Sequence, residues 1–105
     1  MTRRRVAVTG LGMISPVGND VAATWASLLS GASGAAPITK FDASAFPVRF
    51  AAEVKGFDPL LYMDRKEAKR SDLYTQYALA ASVQAMRDAG LSTNGAGPSV
   101  APERI

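Results

Sequence analysis

Residues 6–19 read Val6-Ala7-Val8-Thr9-Gly10-Leu11-Gly12-Met13-Ile14-Ser15-Pro16-Val17-Gly18-Asn19. Val6 to Thr9 form a short run, β-branched and apolar on both faces, the pattern of a strand buried in a parallel sheet; Gly10 and Gly12 are expected to end it in a tight turn. A helix should follow. Asn19 or Asp20 supplies an acceptor for the first free backbone N–H groups. Val21, Trp25, Leu28 and Leu29 then fall at i, i+4, i+7 and i+8, one stripe expected to be buried, and Gly31 is a left-handed stop. A strand, a turn and a helix in this order suit the opening of a parallel-sheet unit.

Downstream the signals alternate between weak and strong. Small and turn-forming residues dominate Ala32 to Pro47, read as an irregular surface segment pinned to apolar surroundings by Ile38, Phe41 and Phe46. Val48, Phe50, Ala52 and Val54 alternate with Arg49, Ala51 and Glu53, the period of a half-exposed strand. Asp58-Pro59 is a cap followed by a first-turn proline, opening a short helical turn through Tyr62. The longest helix begins at Ser71 or Asp72 and ends at Gly90, with Leu79, Val83 and Met86 on one stripe and Leu73, Tyr77 and Ala80 on another. Ser92 to Pro102 reads as a loop, and Glu103-Arg104-Ile105 as the start of a further strand. A buried parallel strand needs a neighbour, and no other segment offers one, so the α/β fold is expected to be incomplete within these residues.

The 105 residues are 48% hydrophobic and 20% charged, a globular balance that fits at most one modest domain. The sequence contains neither Cys nor His, which excludes disulfides, thiolate or imidazole metal sites, Cys nucleophiles and His general bases from these residues. No cofactor or metal is expected. Twelve Lys and Arg against nine Asp and Glu leave a net charge of +3, which favours acidic partners. No apolar run approaches the roughly 18 residues of a membrane span, and residues 1–18 lack the features of a signal peptide. A transit peptide opening on Arg3, Arg4 and Arg5 is disfavoured by the strand-like run behind them. The expected location is cytoplasmic.

Three motifs bear on function. Gly10-Leu11-Gly12 after a strand suggests a dinucleotide turn, but the sixth position is Ser15, Pro16 interrupts the helix entry, and Ala32 and Ser33 stand where an acid would hold the ribose. The glycines are therefore read as structural. Arg65, Lys66, Lys69 and Arg70 make the densest basic cluster; in a helix, Lys66, Lys69 and Arg70 share a face. Such a face suits a phosphate or an acidic helical protein, or is simply a solvated helix end balanced by Asp64, Glu67 and Asp72. Nucleic acid is disfavoured, because Tyr62, Tyr74 and Tyr77 are spaced for packing and not as a stacking platform. Asp58, Asp64, Glu67 and Asp72 lie among basic residues and are expected to act as ion-pair partners, not as a general acid and base.

The run Val8 to Asn19, followed by Trp25, Phe41-Asp42, Glu53-Val54-Lys55, Asp64-Arg65-Lys66, Gln76-Tyr77 and Asp88-Ala89-Gly90-Leu91, resembles the opening of a β-ketoacyl-[acyl-carrier-protein] synthase, closest to the synthase II branch. The resemblance spans residues 1–91 in order. It implies the N-terminal part of a thiolase-like layered αβαβα fold, with residues 92–105 as the loop before the next core strand, in a parent enzyme that is a homodimer. It implies decarboxylative Claisen condensation in fatty-acid synthesis: a Cys thiolate takes the acyl chain from acyl carrier protein, and two His residues stabilise charge as the malonyl carrier decarboxylates and attacks the thioester. In the family those three residues lie further along the polypeptide, so no catalytic residue is assigned here. What carries over is docking of acyl carrier protein on Lys66, Lys69 and Arg70, with Arg65 beside them, at the start of the long helix. Ala68 departs from the polar residue frequent in relatives. The alternatives are a polyketide-type ketosynthase and a small non-catalytic module that binds acyl carrier protein.

Overall fold

The structure, a computed structural model, describes residues 2–91. The expected loop at 92–102, the strand start at 103–105 and the whole proposed boundary segment 92–105 lie outside the described residues. In chain order the elements are helix α1 (Val21–Ser30), strands β1 (Ala35–Pro37) and β2 (Phe50–Ala52), a 3-10 turn (Pro59–Leu61), helix α2 (Arg65–Arg70) and helix α3 (Leu73–Asp88).

The ends of these elements follow local chemistry. Asp20 caps α1, its Oδ1 accepting from the Ala23 amide at 2.7 Å, and Gly31 closes the helix with φ 76°. Asp58 does the same for the 3-10 turn, accepting from the Leu60 amide at 3.0 Å, with Pro59 behind it. Gly90, at φ 72°, stands just past α3.

Residues 6–9 depart from expectation. They form no strand, and Val6 and Val8 are 92% and 80% exposed. A strand exists through a ladder of hydrogen bonds, and among the described residues nothing pairs with this run. Gly10 and Gly12 are not a tight turn either: residues 10–14 lie outside any turn, and neither glycine has positive φ. They are sites of close approach: a Cβ on Gly12 would overlap the Ala81 carbonyl oxygen and lie 2.7 Å from the Ala85 amide nitrogen, and one on Gly10 would lie 2.6 Å from the Ala89 amide nitrogen. Ala81, Ala85 and Ala89 fall at i, i+4 and i+8, a small-residue stripe on α3 and the turn after it. Beside it, Gln84 and Asp88 accept from the Met13 and Leu11 amides, each at 2.9 Å.

Of the stripe expected to be buried on α1, Val21 is half-buried but Trp25, Leu28 and Leu29 are exposed, Trp25 at 60% and Leu29 at 69%; the buried residue of this helix is Thr24. Residues 32–47 are also more regular than expected, because β1 pairs antiparallel with β2 in the register Ala35 to Ala52, Ala36 to Ala51 and Pro37 to Phe50. The alternation around β2 is present, but its phase is reversed: Ala51 is half-buried, while Phe50 and Ala52 face solvent. Phe41 and Phe46 pack edge to face at 5.9 Å and are both more than half exposed, so they anchor to each other and to no larger core.

Among the described residues the buried apolar side chains are Ala43 and Ala80. The elements are joined chiefly by hydrogen bonds around the turn at Ser15–Gly18. Ser15 Oγ lies 2.8 Å from Thr24 Oγ1, and Ser27 Oγ donates to the Val17 carbonyl at 2.7 Å. Lys55 Nζ donates to the carbonyls of Pro16, Gly34 and Glu53 at 2.9–3.2 Å. Gln84 Nε2 donates to the Asn19 carbonyl at 2.7 Å and to the Tyr62 hydroxyl at 2.9 Å. One lysine and one glutamine thus tie α3, the 15–19 turn, the hairpin and the 3-10 turn together.

Candidate functional site

Arg65, Lys66, Lys69 and Arg70 all lie on α2, and all four are exposed. At about 100° per residue they sweep an arc of about 140° of the helix, with Glu67 and Ala68 each about 60° beyond one end of it. Ala68 is half-buried. The helix therefore turns its small residue inward and its cations outward. Lys69 and Arg70 also occupy the last turn, where the helix dipole favours positive charge.

The patch is not at the start of the long helix, where the resemblance puts it. It occupies a separate six-residue helix, which ends at Ser71 (φ −104°, ψ 136°) before α3 begins from Asp72 (φ −69°, ψ 162°). Ser and Asp compete with helical hydrogen bonding and favour caps, so two of them in succession break the run. The carboxylates also differ from the ion-pair role expected of them. Asp64 Oδ1 accepts from the Glu67 amide at 2.8 Å and starts α2, as Asp58 starts the 3-10 turn.

The break is bridged by Gln76 of α3, which is 7% exposed. Its Nε2 donates to the carbonyls of Ala68 at 2.9 Å and Ser71 at 3.2 Å. The described residues also hold an aromatic cluster: Phe57 stacks on Tyr62 at 6.1 Å and meets Tyr77 edge to face at 5.1 Å, and the Arg87 guanidinium sits 6.0 Å from the Tyr62 ring centre. Tyr62 and Tyr77 pack as their spacing predicts, but Tyr74 is 75% exposed.

A concavity of about 620 Å³ lies between Leu11, Val21, Trp25 and Arg87. Its polar groups Gln84 and Asp88 are already engaged by the Met13 and Leu11 amides. No group of three or more metal-ligating side chains occurs among the described residues, and none of their helices is long and apolar enough to cross a membrane.

A family model, the N-terminal domain of β-ketoacyl synthase, matches residues 3–101. The chain belongs to this family. The β-ketoacyl synthase segment is 50% identical over 94 residues to the 3-oxoacyl-[acyl-carrier-protein] synthase 2 of Coxiella burnetii, covering 90% of this chain and 23% of that protein. The corresponding figures for the synthase 2 of Vibrio cholerae are 52% identity with the same coverage. Among solved structures it superposes on the ishigamide ketosynthase/chain length factor with a TM-score of 0.78 and 41% identity, over 89% of this chain and 23% of that one. The segment thus has the N-terminal part of the thiolase-like ketosynthase fold and spans about a quarter of the length of these relatives. The expected fold class stands on that superposition. It does not stand on residues 6–9, which form no strand here.

Sequence reasoning placed the four cations and missed the residues that hold them. Gln76 falls within the apolar series Leu73, Gln76, Tyr77 and Ala80 of α3, and an amide on a packed helix face is the available sign that a backbone group nearby needs a donor.

Proposed function

We propose that this segment belongs to a 3-oxoacyl-[acyl-carrier-protein] synthase that condenses acyl chains with a malonyl carrier, and that α2 is where acyl carrier protein docks. The identities of about 50% to synthase 2 proteins support the reaction. The observation that carries the docking is the outward arc of Arg65, Lys66, Lys69 and Arg70 behind a half-buried Ala68. Such an arc attracts an acidic helical partner over a Debye length and orients its approach. With no Cys or His in the segment, the acyl-accepting thiolate and the groups that stabilise the decarboxylating malonyl unit belong to other parts of the synthase. The parent enzyme is read as cytoplasmic and homodimeric; the exposed Val6, Val8, Trp25, Leu28 and Leu29 suit coverage by further protein. A second reading, a ketosynthase of another chain-building pathway, draws on the likeness to a ketosynthase/chain length factor.

The test is charge reversal in the intact synthase. Lys66→Glu with Lys69→Glu should raise KM for malonyl-loaded acyl carrier protein by about tenfold and flatten its dependence on salt. An unchanged KM and salt profile would remove α2 from the docking site.

A further inference from the structure

A six-residue helix has little stability of its own, because one hydrogen-bonded turn barely offsets its nucleation. The α2 helix begins with a good cap at Asp64, but its last carbonyls have no successor turn, since Ser71 is already extended. Asp72 does not help, for it makes no side-chain cap bond. What joins the end of α2 to α3 is the Gln76 side-chain amide, bonded to the Ala68 and Ser71 carbonyls at 2.9 and 3.2 Å. Ala68 is the half-buried residue of α2, so the donor on its carbonyl fastens the helix at the residue that faces inward while the cations stay exposed. Gln76 is itself buried, at 7% exposure, and cannot touch a partner at the surface.

We propose that Gln76 is a positioning residue for carrier docking: its amide clamps the C-terminal end of α2 and thereby presents Arg65, Lys66, Lys69 and Arg70 as one surface. This rests on the docking reading of α2 given above. Gln76 matters through the donors it offers, so a side chain of equal length without them leaves α2 free to turn or fray, and the arc loses its fixed direction.

The experiment is a mutant cycle in the intact synthase, with malonyl-loaded acyl carrier protein as the varied substrate. Gln76→Met keeps the volume and removes both donors. KM should rise about fivefold, and the salt dependence of KM should flatten. The deciding measurement is coupling: Gln76→Met added to Lys66→Glu and Lys69→Glu should cost little more than the charge reversal alone, because both act on the same arc. Should Gln76→Met fail to fold, Gln76→Asn, which keeps an amide but falls one methylene short, carries the same comparison with a smaller rise. A KM equal to wild type in the glutamine variant, while charge reversal raises it, overturns the proposal and leaves docking intact. Full additivity in the combined variant also overturns it, since the damage would then be general. If charge reversal leaves KM unchanged, the docking reading fails and the positioning role fails with it.

Discussion

The seam between residues 10–13 and α3 differs sharply from the outer face of α1. At the seam, glycines bring one backbone against another, and two side chains at i and i+4 of α3 take up the alternate amides of Leu11 and Met13. On α1, large apolar residues at helical spacing lie open, with Trp25 at 60% exposure and Leu28 at 56%. The face that looks more like a core in sequence is the less buried of the two. Hydrophobic periodicity marks the side of a helix that favours burial, whereas burial itself requires a partner surface. Small residues give little hydrophobic signal, yet they permit the closest approach of main chains.

The contrast can be broken most forcefully at Gly12. Gly12→Val places a branched side chain against the α3 backbone, which cannot rotate away. We expect about 3 kcal/mol or more of destabilisation, read by thermal or denaturant unfolding. A variant of wild-type stability would show that the seam is not tightly held. Next comes Gln84→Leu, which leaves the Met13 amide, the Asn19 carbonyl and the Tyr62 hydroxyl without their partner. About 2 kcal/mol should be lost in the same measurement, less where water reaches those groups.

A smaller effect is expected in acid. The Thr39 hydroxyl donates to Glu53 Oε1 at 2.8 Å and holds its carboxyl below the ordinary value of 4.5. A carboxyl whose value is lowered by folding adds stability above its unfolded value and loses it as pH falls through the folded one. Stability should therefore decline below about pH 4.5. Glu53→Gln should remove that part of the decline in a pH series of melting temperatures, and an identical acid profile would discount the pair. The smallest change belongs to Trp25→Gln. On a solvent-exposed face it should shift the stability of the 105-residue chain by no more than about 0.5 kcal/mol. A loss comparable to that of Gly12→Val would erase the distinction between the two regions.

The candidate site divides in a similar way. Lys66, Lys69 and Arg70 were legible as one face because helical spacing alone brings them together, and Arg65 joins the same arc. The start of the long helix at Ser71-Asp72 is legible, and the structure has Asp72 ahead of α3; that the patch forms its own six-residue helix, ending at Arg70, is decided only by the fold. The role of Gln76 is not legible in the same way, because the carbonyl it bonds lies eight residues away, across the break at Ser71.

What the residues alone determined is what depends on near neighbours in the chain. Asp20 and Asp58 start their elements through amides two or three residues on, and Gly31 ends α1 because a left-handed residue is least strained without a Cβ; Asp64 caps α2 in the same local way, although it was expected to pair with a cation. Family membership was legible for a related reason, since an ordered run of short motifs survives whatever surrounds it. Tertiary structure decided the pairing of Ala35–Pro37 with Phe50–Ala52, the phase of that hairpin, the seating of Gly10 and Gly12 on α3, and the exposure of Val6, Val8 and Trp25. Each of these depends on which distant segment arrives to fill a ladder or cover a face, and a strand or an apolar stripe has no defined state until that partner is in place.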